Sequence, residues 1–267
     1  HCISSAASDV YKRQMKAQLR FSDARVPDLT VYNRYLSGKT VRLLGGSGRL
    51  SGEVALNAAG DVGNGHADLR GQGAHLSIAG IQMRGDAQLQ ATLRRADFKA
   101  KFFDLSGTHI RLRNMRVGDA ATDAAWWGEV KVPAGTIQAT APFQVDADAA
   151  VRMRDAAPLL SVFAQRADYP RWVLGLLDAG QLDATGRLRW RKQQVVVDDL
   201  HAENARLSLR ARLAIDDDHK RGDLYLRWGV LGVGIELDGQ QRQWHLAGAR
   251  EWYEGRPSLL PPMANKK

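Results

Sequence analysis

Arg206-Leu207-Ser208-Leu209-Arg210-Ala211-Arg212-Leu213-Ala214-Ile215 is the stretch whose reading decides the fold. Leu207, Leu209, Ala211, Leu213 and Ile215 alternate with Arg206, Ser208, Arg210, Arg212 and Ala214. A strand sends successive side chains to opposite faces, so this phase gathers every large apolar group on one side, whereas a helix would smear them around its circumference. The same phase is present at Met15, Ala17, Leu19 and Phe21, set against Lys16, Gln18 and Arg20. Period two then predicts strands near 41–44, 48–57, 65–71, 74–83, 85–95, 101–106, 108–117, 128–133, 136–140, 143–153, 182–191, 193–200, 204–215, 222–228, 231–238 and 242–247.

Short Gly, Asn and Asp turns separate neighbours, as in Asp61-Val62-Gly63-Asn64-Gly65, Ala79-Gly80 and the run Asp216 to Gly222. Connections this short join antiparallel strands, because a parallel crossover needs a dozen or more residues. The expected topology is therefore a meander. Helical pattern is confined to Asp28–Leu36, with Asp28 as N-cap and Gly38 as its end, to Pro158–Ala167 and Pro170–Asp178, and to a short piece over Ala249–Glu254. A helix, a Gly-Arg-Leu strand opening and a meander occur twice, about 140 residues apart, which suggests an internal repeat. The domain reading is a groove segment over 15–154, a helical insertion over 155–181, a second groove segment over 182–256, and a disordered tail over 257–267.

The segment His1–Gln14, with the core Ser8-Asp9-Val10-Tyr11-Lys12-Arg13-Gln14, resembles the translation of a transposon-end sequencing adapter and is expected to be non-native. It carries Cys2, the only cysteine, so the rest of the chain can make neither a disulfide nor a Cys-based metal site. An upstream anchor or signal would have been lost with such a truncation. No run of about 18 or more apolar residues is present to span a bilayer as a helix. Apolar residues are 44% and charged residues 25% of the chain, an ordinary balance for a folded protein. Lys and Arg number 38 against 29 Asp and Glu, and the excess is arginine scattered along strands. That spread favours a phosphate-bearing partner, nucleic acid or a membrane surface.

Motifs for catalysis fail on context. Ser37-Gly38-Lys39-Thr40 ends like a P-loop, but Asn33 stands where its first glycine belongs, and the pattern around it reads helix then strand, the reverse of what that motif needs. A helix C-cap is the simpler reading. Gly45-Gly46-Ser47-Gly48 lacks a following helix and reads as a turn. His66, His75, His109, His201, His219 and His245 have no partners at metal-ligand spacing, and Asp216-Asp217-Asp218 lacks the Gly and downstream Glu of a calcium loop. No serine sits in a Gly-x-Ser-x-Gly setting. Trp126, Trp127, Trp190, Trp228 and Trp244 offer base-stacking surfaces, yet aromatics total 7% and the arginines fit the outer face of a basic sheet. No catalytic residue, metal, cofactor or nucleic-acid partner is expected.

Some sixteen strands in one meander exceed what an open twisted sheet carries before it curls or splits, and three helical pieces are too few to cover its apolar side. A barrel, a sandwich or a trough with the apolar face inward would solve this. The reading taken forward is a mainly β protein, a long antiparallel meander curled into an open groove with a few short helices.

Asp178-Ala179-Gly180-Gln181-Leu182-Asp183-Ala184-Thr185-Gly186-Arg187-Leu188, the recurring Gly-x-Leu strand openings, and the run Arg221 to Leu237 resemble the C-terminal parts of AsmA-like and TamB-like bacterial envelope proteins. The likeness spans Met15 to Gly255 and rests on loose patterns of small and apolar residues. It implies a β-groove crossing the periplasm from an inner-membrane anchor, and a role in moving phospholipid toward the outer membrane or in assembling outer-membrane proteins. This sequence departs from the family in having no anchor helix. The expected inward face carries Leu207, Leu209, Leu213, Ile215, Leu224, Leu226, Val233, Ile235 and Leu237, which would meet phospholipid acyl chains. The alternatives are a scaffold that pairs its edges with outer-membrane strands and an outer-membrane barrel.

Overall fold

A computed structural model describes residues 17–36, 41–78, 81–118, 126–155, 180–192, 194–216 and 219–261. Strands dominate: β1 (Ala17–Val26), β2 (Val41–Leu56), β3 (Val62–Ile78), β4 (Ile81–Asp97), β5 (Phe102–Asp104), β6 (Thr108–Val117), β7 (Trp126–Gln138), β8 (Gln144–Met153), β9 (Leu182–Arg191), β10 (Gln194–Glu203), β11 (Leu207–Asp216), β12 (His219–Trp228), β13 (Leu231–Asp238) and β14 (Gln241–His245). They form one 14-stranded sheet in sequence order, with β5 and β6 sharing the place between β4 and β7. Every neighbouring pair is antiparallel, as the short connections demand. The path ends at β1 and β14, which do not pair with each other, so the sheet is an open groove and not a closed barrel. Pairing of β8 with β9 from Gln144↔Arg191 to Met153↔Leu182 carries the sheet unbroken from the first groove segment into the second. The helices expected at Pro158–Ala167 and Pro170–Asp178, the Ser37–Thr40 motif and the segment His1–Gln14 lie outside the described residues.

Several expected breaks are bulges inside longer strands: 41–44 and 48–57 merge into β2, and 128–133 and 136–140 merge into β7. Gly45-Gly46-Ser47-Gly48 is not a turn: it lies inside β2, where the register with β3 shifts at Leu43/Gly45 and again at Gly45/Ser47. Gly46 holds φ at +106°, and a Cβ there would stand 2.7 Å from the Ala74 Cα, so only glycine fits. Val132-Pro133 likewise falls at a shift within β7. Asp23, Asn114 and Asp199 take positive φ at further shifts in β1, β6 and β10. A bulge adds one residue on one side of a pair, bends that strand and raises its twist. Repeated along the meander, these bends let so many strands curl where a flat sheet would split. The stretch read as one strand over 74–83 divides where Ile78 faces Ile81.

Two short helices complete the described chain. The expected helix after Asp28 is a 3₁₀ turn over Leu29–Tyr35, capped by Asp28, whose Oδ1 accepts from the Thr30 amide at 2.9 Å. Asn33 ties it to β2, donating Nδ2–H to the Leu43 carbonyl at 2.7 Å and accepting from the Leu43 amide at 2.8 Å. Helix α1 (Ala249–Glu254) follows β14. The tail expected to be disordered is instead laid down on the sheet through Pro261, with Leu260 buried against Val196 and Ala214. Residues 262–267 lie outside the description.

Candidate functional site

Register turns the alternation of single strands into two surfaces. Across the sheet, Ala24 faces Leu50, then Leu69, Leu89, Ile110, Val130 and Val151. The row continues through Ala184, Ala202, Leu209, Leu226 and Val233. Every member is apolar, and the row crosses twelve strands. At a strand spacing of about 4.8 Å it extends roughly 50 Å around the curve. The adjacent row, one residue along each strand, runs Arg25, Arg49, Arg70, Gln88, Arg111, Glu129 and Arg152. It goes on through Asp183, Glu203, Ser208 and Arg227, and every member is polar. A slip of one residue in any pair would exchange the faces, so burial of one face fixes the register.

All nine expected groove residues fall on the apolar surface. Leu209, Leu226 and Val233 share the row above; Leu224 and Ile235 extend the next from Ala211; Leu213 and Leu237 flank Gly222. Leu207 and Ile215 stand at the two ends of β11, opposite Trp228 and Lys220. Leu207 is buried and the other eight are half-buried. Ile110, in the middle of the long row, is 37% exposed. Among the described residues, the element packed on this surface is the 3₁₀ turn. Its Leu29 closes one end with Val26, Ala74, Leu76, Met83, Met115, Trp126 and Met153. The other end carries aromatic pairs packed edge to face, Phe98 with Phe103 at 5.9 Å and Phe143 with Trp190 at 5.6 Å. The lining residues named from the sequence all come from β11–β13, and the row extends them through β2–β10, where Leu50, Leu69 and Leu89 keep the same phase.

The other surface is built of ion pairs between strands. Arg152 bridges Asp183 at 2.5 Å and Arg187 approaches Asp148 at 3.7 Å; Glu129 meets His109, and Arg111 at 3.4 Å. Arg152 holds the Asp183 carboxyl below its usual range. Burial would raise Glu129, but its hydrogen bond with His109 and neighbouring cations outweigh that and lower it. Exposed pairs of this kind add little stability. What they establish is which side faces solvent. A cavity of ≈ 290 Å³ on this side, lined by Glu129, Lys131, Arg152, Asp183 and His201 among others, has charges of both signs and suits no hydrocarbon. The six histidines share this polar phase, and no group of three His, Cys, Asp or Glu among the described residues is placed to hold a metal ion.

The C-terminal strap, helix α1 and Arg256–Pro261, crosses this polar surface. Trp252 lies over Gly234, where a Cβ would come within 2.6 Å of its ring, and stacks on His245 at 4.0 Å. Tyr253 packs on Tyr225, and the Arg212 guanidinium lies 4.5 Å above the Tyr253 ring while donating to the Tyr253 and Arg256 carbonyls at 2.9 and 2.8 Å. Arg256 reaches Asp223 at 3.1 Å, and Glu236. Asp198, fully buried, accepts from Ser258 Oγ and from the Leu260 amide at 3.0 Å. Over β10–β13 the strap thus seals the face opposite the groove.

The groove wall offers hydrocarbon contact along the apolar row. It can bury methylenes at about 0.8 kcal/mol each while the polar face stays hydrated. No protein-family model, curated protein or solved structure matches the chain.

Proposed function

We propose that this chain is a non-enzymatic groove segment that binds phospholipid acyl chains along its apolar face and passes them between membranes. The observation that carries the reading is the twelve-strand apolar row backed by a polar row one residue away. A compact protein would bury such a surface under a second layer, and a continuous half-buried apolar face without such a layer among the described residues marks a ligand or membrane surface. With the resemblance to AsmA-like and TamB-like proteins, the reading extends to phospholipid transfer between inner and outer membrane during outer-membrane biogenesis, in the periplasm, from an inner-membrane anchor outside this sequence. The test is detergent-free purification followed by lipid extraction and mass spectrometry, with titration of a fluorescent fatty acid. Co-purified phospholipid and saturable probe uptake are expected; a lipid-free protein that takes up no probe would refute the reading.

A second reading draws on β1, which is exposed along nearly its whole length and ends the sheet with one side unpaired among the described residues. An open edge of ten residues can accept an added strand, so the chain would assist assembly of outer-membrane proteins by strand pairing. Binding of strand peptides from such proteins, undiminished by a groove-filling fatty acid, would favour it over lipid passage.

A further inference from the structure

The hairpin joining β12 and β13 ends in Trp228-Gly229-Val230-Leu231. Val230 is 99% exposed and Leu231 61% exposed, and Trp228, opposite both Leu207 and Leu231, is also exposed. Leu246, one step beyond the paired end of β14 and in phase with the exposed Trp244, is exposed as well. Trp228, Val230 and Leu231 therefore gather at the hairpin tip, with Leu246 just past the paired end of β14 on the same side of the sheet, while Trp244 lies further in, opposite Ile235. Burial within this fold does not explain them. A bare aliphatic tip costs solubility, and its shape is convex, so it fits a soft surface into which it can sink rather than a pocketed partner.

Charge selects the surface. Arg227 precedes the tip and Arg206 stands on the neighbouring turn beside Leu207, both exposed and neither in an ion pair among the described residues. The acid nearest along this row is Glu203, opposite Ser208, and it faces His201 at 3.6 Å. Tryptophan and aliphatic side chains flanked by arginine match the membrane–water boundary: the rings and leucines enter the acyl region while guanidinium groups meet phosphate. We propose that the β12–β13 tip, with Leu246 near it, docks the chain onto an anionic phospholipid bilayer, with Arg206 and Arg227 contacting headgroups. Trp228 and Leu231 continue the apolar phase of the groove, whereas Val230 lies in the turn past the paired strand ends, so the docking does not require acyl chains in the groove.

Flotation of the purified full chain with vesicles tests this, using phosphatidylcholine alone and phosphatidylcholine with roughly one third phosphatidylglycerol at physiological salt. The unchanged chain is expected to float with the anionic vesicles and less with the neutral ones. Val230→Asp with Leu231→Asp should cut partition about tenfold or more, and Arg206→Glu with Arg227→Glu should abolish the preference for anionic vesicles. Val31→Asp, an exposed valine on the 3₁₀ turn, should change neither. An unchanged chain that stays at the bottom with both vesicles overturns the proposal, as does a Val230/Leu231 variant that floats like the parent. Should that variant misfold by circular dichroism, the arginine pair decides: unaltered anionic preference overturns the proposal and its loss supports it.

Discussion

A carboxylate cut off from water must be held by donors or lose its charge, and Asp198 shows which outcome holds in this chain. Burial would raise its pKa, but the Ser258 hydroxyl and the Leu260 amide outweigh that and hold it below the usual range. A depressed carboxyl contributes stability above its unfolded pKa and loses it as pH falls through the folded value, so the strap should loosen below about pH 4 and be firm at neutral pH. Asp198→Ala leaves two donors facing a buried gap and should cost about 1–3 kcal/mol, read by denaturant unfolding. Amide exchange at Leu260 should rise more than at Leu69. Gly234→Leu acts on the other half of the strap. Its side chain must displace the Trp252 ring, at a cost of about 1–3 kcal/mol, and near-ultraviolet dichroism should lose the Trp252 signal. Neither contact was visible in the sequence, because both join residues far apart in the chain. One trace was present: Val196, Ala214 and Tyr225 break the polar phase where the strap covers it.

Strand β11 shows what alternation can and cannot establish. Its ten residues predict their own faces correctly, and the short turns at either end predict its partners. Leu209→Asp should therefore weaken uptake of a fluorescent fatty acid while Ser208→Asp, its neighbour, leaves uptake unchanged. A charge unpaired against hydrocarbon costs at least about 1–3 kcal/mol, which lowers affinity by roughly tenfold or more. Equal effects of the two substitutions would mean that the face does not matter. Strand ends were harder to read. Gly45-Gly46 and Val132-Pro133 carry turn chemistry, yet the chain passes through both without reversing. Gly and Pro permit a bulge as readily as a turn, and the pairing partner on the far strand chooses between them.

At the scale of the whole molecule, one antiparallel sheet carries opposite chemistry on its two surfaces and is fastened on the polar one by its own C-terminal segment. The mainly β meander and its groove were legible, because period two persists from Ala17 to His245. The strap was not, since composition gave Pro257–Pro261 no apolar period although Leu260 ends up buried. The most direct measurement uses two adjacent residues of β4. A photo-crosslinking amino acid at Leu89 faces the groove, and the same group at Gln88 faces away. With phospholipid-loaded protein, illumination should attach lipid at position 89 and leave position 88 bare. Equal labelling at both positions, or labelling at 88 alone, would contradict an acyl-binding groove.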